Sequence, residues 1–536
     1  MNVLLLNTSQ HKGELMRMSR FVLTAAVAVL PLFMTSIHAG TPDPGPKPKP
    51  PDEQQLNAGV EKVKAKQFKE ALELFQSAAQ AGNATAMHNI GILMLSGLGV
   101  KQDVPGALQW FEKAAAKGQT NAQVQLSDML FAGTGMTRDP IRGLDLLSKA
   151  AEAGDALAQM KLGNLYRAGK DMEGKGAVNR DMALYARWIG MAAAQGAAEA
   201  QYQMGLNCLN GLGVPQDFAK AAQWFKVAAE QNHAGAQTQY AAALSRGLGM
   251  SKDEAAAVPW ATKAAEAGNT EAQHLLGTFY KDGKGVKKDA KEAAKWFQKA
   301  AAGQHAEGKF ELAQLYEKGE GLEKDAAKAL ELCREAAELG STAAMVGYAA
   351  MRLRGEGGPI DKSEAFRWLL KAAENNNVQA QYFTGMMYLN GNGVTQDFDQ
   401  AARWFAAATS RGHVEACVQY AVLLFKGQGV EKNEAEAFRL MRQAGEIGNA
   451  LAQTNLGIML RDGTGVDKNL EGAVTWFKKA AEQGWADGQF GLGNAYEKGE
   501  GVAKDPKSAQ EWYTKASEQG HPLAKKALEK LNPKPK

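Results

Sequence analysis

The chain has 536 residues, 45% of them hydrophobic, with 62 basic against 58 acidic side chains. No block of like charge stands out, which excludes the basic stripe of a nucleic-acid binder. Three cysteines, Cys208, Cys333 and Cys417, are too few and too far apart for a disulfide framework and read as small buried hydrophobes.

The first 39 residues read as an export signal. "MRMSR" (Met16 to Arg20) is a basic start, and "FVLTAAVAVLPLF" (Phe21 to Phe33) is a short apolar run broken by Pro31. "IHA" (Ile37 to Ala39) has small-residue cleavage spacing before Gly40. The residues ahead of Met16 point to Met16 as a second candidate start. The run is too short for a membrane span, and no second span of membrane length follows. Residues 40–55 hold alternating prolines and read as an extended spacer. Residues 532–536, "NPKPK", read as a frayed tail.

Between these ends the sequence repeats itself. "LNGLGVPQDFAKAAQWF" (Leu209 to Phe225) and "LNGNGVTQDFDQAARWF" (Leu389 to Phe405) agree at 12 of 17 positions and start 180 residues apart, five times 36. Gly-x-Gly pairs recur on the 36-residue period from Gly97 to Gly499, with six extra residues in the loop after Gly169. A unit without the glycine loop precedes them at residues 60–82. Such a period marks stacked repeats. In the unit Asn269 to Gly303, Ala272, Leu276, Phe279 and Tyr280 fall on one helical face. Ala293, Trp296, Phe297 and Ala300 fall on another, after the turn "GKGVKKD". Period-two alternation is absent. The expected fold is all-α, an α/α superhelical solenoid of about 13 helix pairs over residues 56–531.

Recurrent residues have physical reasons. Asp289 and its equivalents, all Asp or Asn, should cap the second helix. The loop glycines should end the first helix in left-handed conformation. The Gly277 position is always Gly, Ala or Ser, and Trp296, tryptophan in nine units, is expected to fill the space opposite it.

The segment "AQHLLGTFYKDGKGVKKDAKEAAKWFQKAAAG" (Ala272 to Gly303) resembles the Sel-one-like repeat (SLR) family, relatives of the tetratricopeptide repeats. The resemblance extends over nearly the whole array. It implies a right-handed superhelix of paired helices and a role as adaptor or scaffold, without naming a partner. Some cysteine-rich members of that family bind or hydrolyse β-lactams. This chain lacks their paired cysteines, and Ser-x-x-Lys occurs only at Ser9 to Lys12.

Catalytic constellations are not found elsewhere. His233, His305, His413 and His521 share one register on different repeats and are expected to pack on helix ends. His88 and His274 share a second register. The Gly-x-Gly loops follow helices rather than strands and lack a phosphate-binding third glycine. The expectation is a non-enzymatic protein without metal or cofactor.

A stacked array leaves a long face of first helices for a partner. Along it the positions of Glu271, His274, Thr278 and Lys281 vary. They turn apolar in three successive units: Tyr382, Met386 and Leu389, then Val418, Val422 and Phe425, then Ile458. These seven are the expected protein- or peptide-binding residues. The insert after Gly169 and Trp485, the one tryptophan out of register, are secondary candidates. The function expected is an exported scaffold or adaptor, in the periplasm first and secreted second. Two rival readings are a cell-wall enzyme acting on β-lactams or peptidoglycan, and a secreted factor that engages a host protein.

Overall fold

The computed structural model describes residues 51–169 and 178–531. The export signal, most of the spacer, the insert after Gly169 and the tail lie outside the described residues. Within them the chain is all α, with 27 helices and no strand. Thirteen antiparallel pairs run from Pro51–Lys64 with Phe68–Gln80 to Ala486–Lys498 with Pro506–Glu518, and Pro522–Leu531 closes the series. Most helices are 13 residues long. From Pro51–Lys64 to Ala234–Arg246, and again from Thr270–Asp282 to Pro522–Leu531, each helix packs on its neighbours in sequence, which is the α/α solenoid packing the 36-residue period predicts. The described residues divide into two compact units, with the division between Trp260 and Ala261.

The first helix begins at Pro51, inside the segment 40–55 expected to be spacer. Proline suits a first helical position, and Asp52 and Glu53 face the positive end of the helix dipole. Residues 51–55 are therefore helical.

Local chemistry sets the helix ends. All twelve Asp and Asn residues of the predicted register cap a second helix; Asp289, for example, accepts from the Lys291 and Glu292 amides at 2.9 and 3.1 Å. The first glycine of each loop ends the first helix with positive φ, as at Gly391 (φ 66°). The second glycine has a further role. At Gly393 (φ 73°) an added Cβ would lie 2.2 Å from the Lys362 carbonyl oxygen, at the start of the preceding unit's second helix. The loop of one repeat thus packs directly on the backbone of the repeat before it.

The core differs from expectation in one respect. The ring that fills the space left by Gly277 is Phe297, fully buried, 2.6 Å from where a Cβ would stand. Phe111, Phe225, Phe405 and Phe477 repeat the arrangement at Gly91, Gly205, Gly385 and Gly457. The nine register tryptophans are only half-buried. They sit one residue earlier and wedge between repeats: Trp476 packs on the core of its own repeat and of the preceding one. Lysines cover several of these rings; Lys299 Nζ lies 3.8 Å from the Trp296 ring centroid.

Candidate functional site

Within residues 261–531, successive first helices such as Thr270–Asp282, Ala306–Lys318 and Thr342–Arg354 touch one another, whereas the second helices stand further apart. First helices therefore line the narrower side of this unit. The face begins with polar repeats. Lys281 pairs with Glu311 at 2.7 Å, and Arg354 with Glu317 at 3.1 Å. From Val378–Asn390 to Ala450–Asp462 apolar side chains appear on this face.

The seven predicted residues divide into three groups. Phe425 and Ile458 are solvent-exposed, each 38%. Met386, Leu389 and Val422 are half-buried, resting on the cores beneath them. Tyr382 is also half-buried, and its ring is stacked on His413 of the next repeat, centroids 4.6 Å apart at 19°. Val418 is a correction: it is buried at 1% and belongs to the core with Cys417, Leu440 and Leu456. Its register is the Tyr382 register, which points at the boundary with the next repeat rather than at solvent. Phe383, 39% exposed beside Tyr382, was missed because its register is expected to lie off the partner face. Phe383, Met386, Leu389, Val422, Phe425 and Ile458 together form an apolar stripe across three repeats.

The register histidines have a more specific role than helix-end packing. Each is the N-cap of the following first helix. Nδ1 of His233, His305, His413 and His521 accepts from the Ala236, Gly308, Ala416 and Ala524 amides at 3.0 to 3.2 Å. Nε2 of three of them faces a carboxylate of the preceding repeat: Glu199 at 2.9 Å, Glu271 at 2.8 Å and Asp487 at 3.0 Å. The hydrogen bond from His233 holds the Glu199 carboxyl below its usual range. Each imidazole also packs against a ring of the preceding repeat: stacked on His274, Tyr382 or Phe490, and tilted on Tyr202. One side chain thus caps a helix and clamps two repeats. The signal was in the sequence: the same register elsewhere holds Asn83, Asp155, Asn269, Ser341, Asn377 and Asn449, all capping residues.

Buried glutamines form a second inter-repeat device that the sequence reading did not single out. Nε2 of Gln273 and Gln381 donates to the carbonyls of Ala265 and Ala373, near the end of the preceding helix. Gln483 then donates to Gln453 at 2.7 Å, as Gln519 does to Gln489 at 2.9 Å.

These repeating contacts over a fixed length define a family. A Sel1 repeat model matches thirteen consecutive segments, from residues 58–83 to residues 486–521. The chain belongs to the Sel1-repeat family. This Sel1-repeat chain is 29% identical to a protective antigen present in uropathogenic Escherichia coli strains, whose crystal structure displays an SLR fold. The match covers 87% of this chain and 98% of that one, with a TM-score of 0.59. A Sel1 repeat protein from Oxalobacter formigenes is 31% identical over 58% of this chain and 89% of its own, with a TM-score of 0.45. No curated protein matched the sequence.

In the Sel1-repeat array the cysteines are buried and unpaired, as expected. Burial pushes the Cys333 thiol up to about 12, where it is a poor nucleophile. Trp485 occupies an N-cap position without making a cap hydrogen bond and is 40% exposed. No helix among the described residues is long and apolar enough to cross a membrane. Burial lowers the pKa of His274, whose ring stacks on His305 with centroids 4.9 Å apart. The sequence reading placed these two in separate, dispersed registers; the repeat boundary brings them together.

Proposed function

We propose that this chain is an exported, non-enzymatic scaffold that holds a protein or peptide on the first helices of residues 378–462. The observation that carries the reading is the apolar stripe of Phe383, Met386, Leu389, Val422, Phe425 and Ile458. In the repeats that start at Thr270 and Ala306, the ion pair Lys281–Glu311 occupies two of those registers. Aromatic and aliphatic side chains held on rigid helices lose little entropy when a partner covers them. Sel1 and tetratricopeptide-like arrays suit such a role. Export rests on the leader read from residues 1–39, with the periplasm the preferred compartment.

The test is partner capture by the tagged mature chain in living cells, compared with a Met386→Glu, Phe425→Glu double variant. Capture is expected to fall at least about tenfold, the effect of losing one to two kcal/mol of contact, while helicity is unchanged. Undiminished capture would remove this face from the reading.

A second reading is favoured by the likeness to the protective antigen: a secreted factor that engages a host protein. It predicts recovery of the chain from culture supernatant and saturable binding to a host component. Retention in the periplasm would favour the first.

A further inference from the structure

The boundary between the repeats that start at Thr270 and Ala306 differs from its equivalents in one atom type. At three of the four histidine-capped boundaries, a carboxylate and a ring on one first helix, three residues apart, meet the capping histidine of the next. The sets are Glu199, Tyr202 and His233; Glu271, His274 and His305; and Asp487, Phe490 and His521. Among these only the middle set has an imidazole as its ring. Its three candidate ligand atoms, one from each residue, lie within 4.8 Å of one another. Among the described residues the His274 side chain makes ring contacts with Phe297 and His305 and no hydrogen bond, so its nitrogens are uncommitted. Glu271 is exposed, which leaves an entry path.

We propose that Glu271, His274 and His305 form a binding site for a divalent transition-metal ion of the zinc class, bridging two consecutive repeats. Two imidazoles and a carboxylate are a recognised zinc donor set, and a Glu-x-x-His spacing puts both ligands on one helical face. Zinc ligands sit about 2.0–2.2 Å from the ion, so the three atoms must draw together. Glu271 already reaches His305 Nε2 at 2.8 Å and the His274 ring already stacks on His305, so the closure draws together side chains that are in contact.

His305 imposes a condition on the site. At present Nδ1 accepts from the Gly308 amide, and Nε2 carries the proton it offers to Glu271. Ligation uses the Nε2 lone pair. The ring proton then moves to Nδ1, and the Gly308 amide loses its acceptor. Metal binding and helix capping are alternative uses of one imidazole, so occupancy marks itself in the backbone.

The experiment is titration of the untagged full chain with zinc ion, by calorimetry and by amide exchange. One saturable ion per chain is expected, with faster exchange at Gly308 on loading. His274→Tyr recreates the boundary of Tyr202 and His233, keeping stack and cap; it should weaken binding at least about tenfold and abolish the exchange change, by analogy with loss of metal-site partners. His305→Asn, which installs the cap used at Asn269, should weaken binding similarly. His413→Asn, at a boundary without a second imidazole, should bind as the parent does. No saturable binding by the parent, or undiminished binding by His274→Tyr and His305→Asn, overturns the proposal.

Discussion

Single acceptor atoms decide where the first helices begin. Ten of the thirteen helix pairs carry a side chain at the first-helix register that accepts from the third amide of that helix, but Ala197 and Trp485 supply none. The backbone of Ala197 already has the extended cap conformation, φ −64° and ψ 110°. Ala197→Asn should therefore gain a cap without rearrangement, contributing about 1 kcal/mol. The measurement is amide exchange at Ala200, the third residue of that helix, which should slow about fivefold; an unchanged rate would show that the register does not act through capping. The capping function of Asp289 and its equivalents was legible because Asp or Asn recurs there in all twelve units that follow the first. That of His233 and His413 was harder to read. Histidine is an uncommon cap, and its second partner lies on the preceding repeat, 34 residues back in the case of Glu199.

At the scale of elements, the loop glycines separate two jobs that look alike in sequence. Gly391 and Gly393 both have positive φ, so both favour glycine. A Cβ at Gly391 would meet nothing nearer than the Gln396 Cβ at 3.4 Å, whereas at Gly393 it would strike the Lys362 backbone at 2.2 Å. Gly391→Ala should cost about 1 kcal/mol from backbone strain alone. Gly393→Ala should cost an additional 1–3 kcal/mol or so by pushing two repeats apart. Denaturant unfolding of the two variants checks the order; equal losses would mean that the loops do not couple neighbouring repeats. The helices, their lengths and their turns were readable from spacing because a 3.6-residue stripe reports which face is buried. The spacing does not report what buries that face. Phe297 and Trp296 are adjacent, and only the packing shows that phenylalanine fills the pair interior while tryptophan reaches the neighbouring repeat. Val418 was misplaced for the same reason: its helix has one boundary facing its partner helix and another facing the next repeat.

At the scale of the molecule, each repeat leaves apolar surface that only its neighbours cover, so stability is distributed along the array. The near-balance of charge fits a surface laced with cross-repeat ion pairs rather than one steered toward a polyanion. The apolar stripe interrupts that lacing between residues 378 and 462, and it is the feature on which the scaffold reading depends. Its position was partly legible from the hydrophobic substitutions at Met386, Phe425 and Ile458; Phe383 became visible only with the fold. The most direct measurement is site-specific photo-crosslinking in living cells. A photoreactive side chain would be placed in turn at Met386, Phe425 and Ile458, at Thr278 and Gln314 on the same face, and at Lys295, Arg403 and Thr475 on second helices. The account predicts one recurrent protein adduct, concentrated at the first three positions. Adducts concentrated on the second helices, or spread evenly over all eight positions, would contradict it.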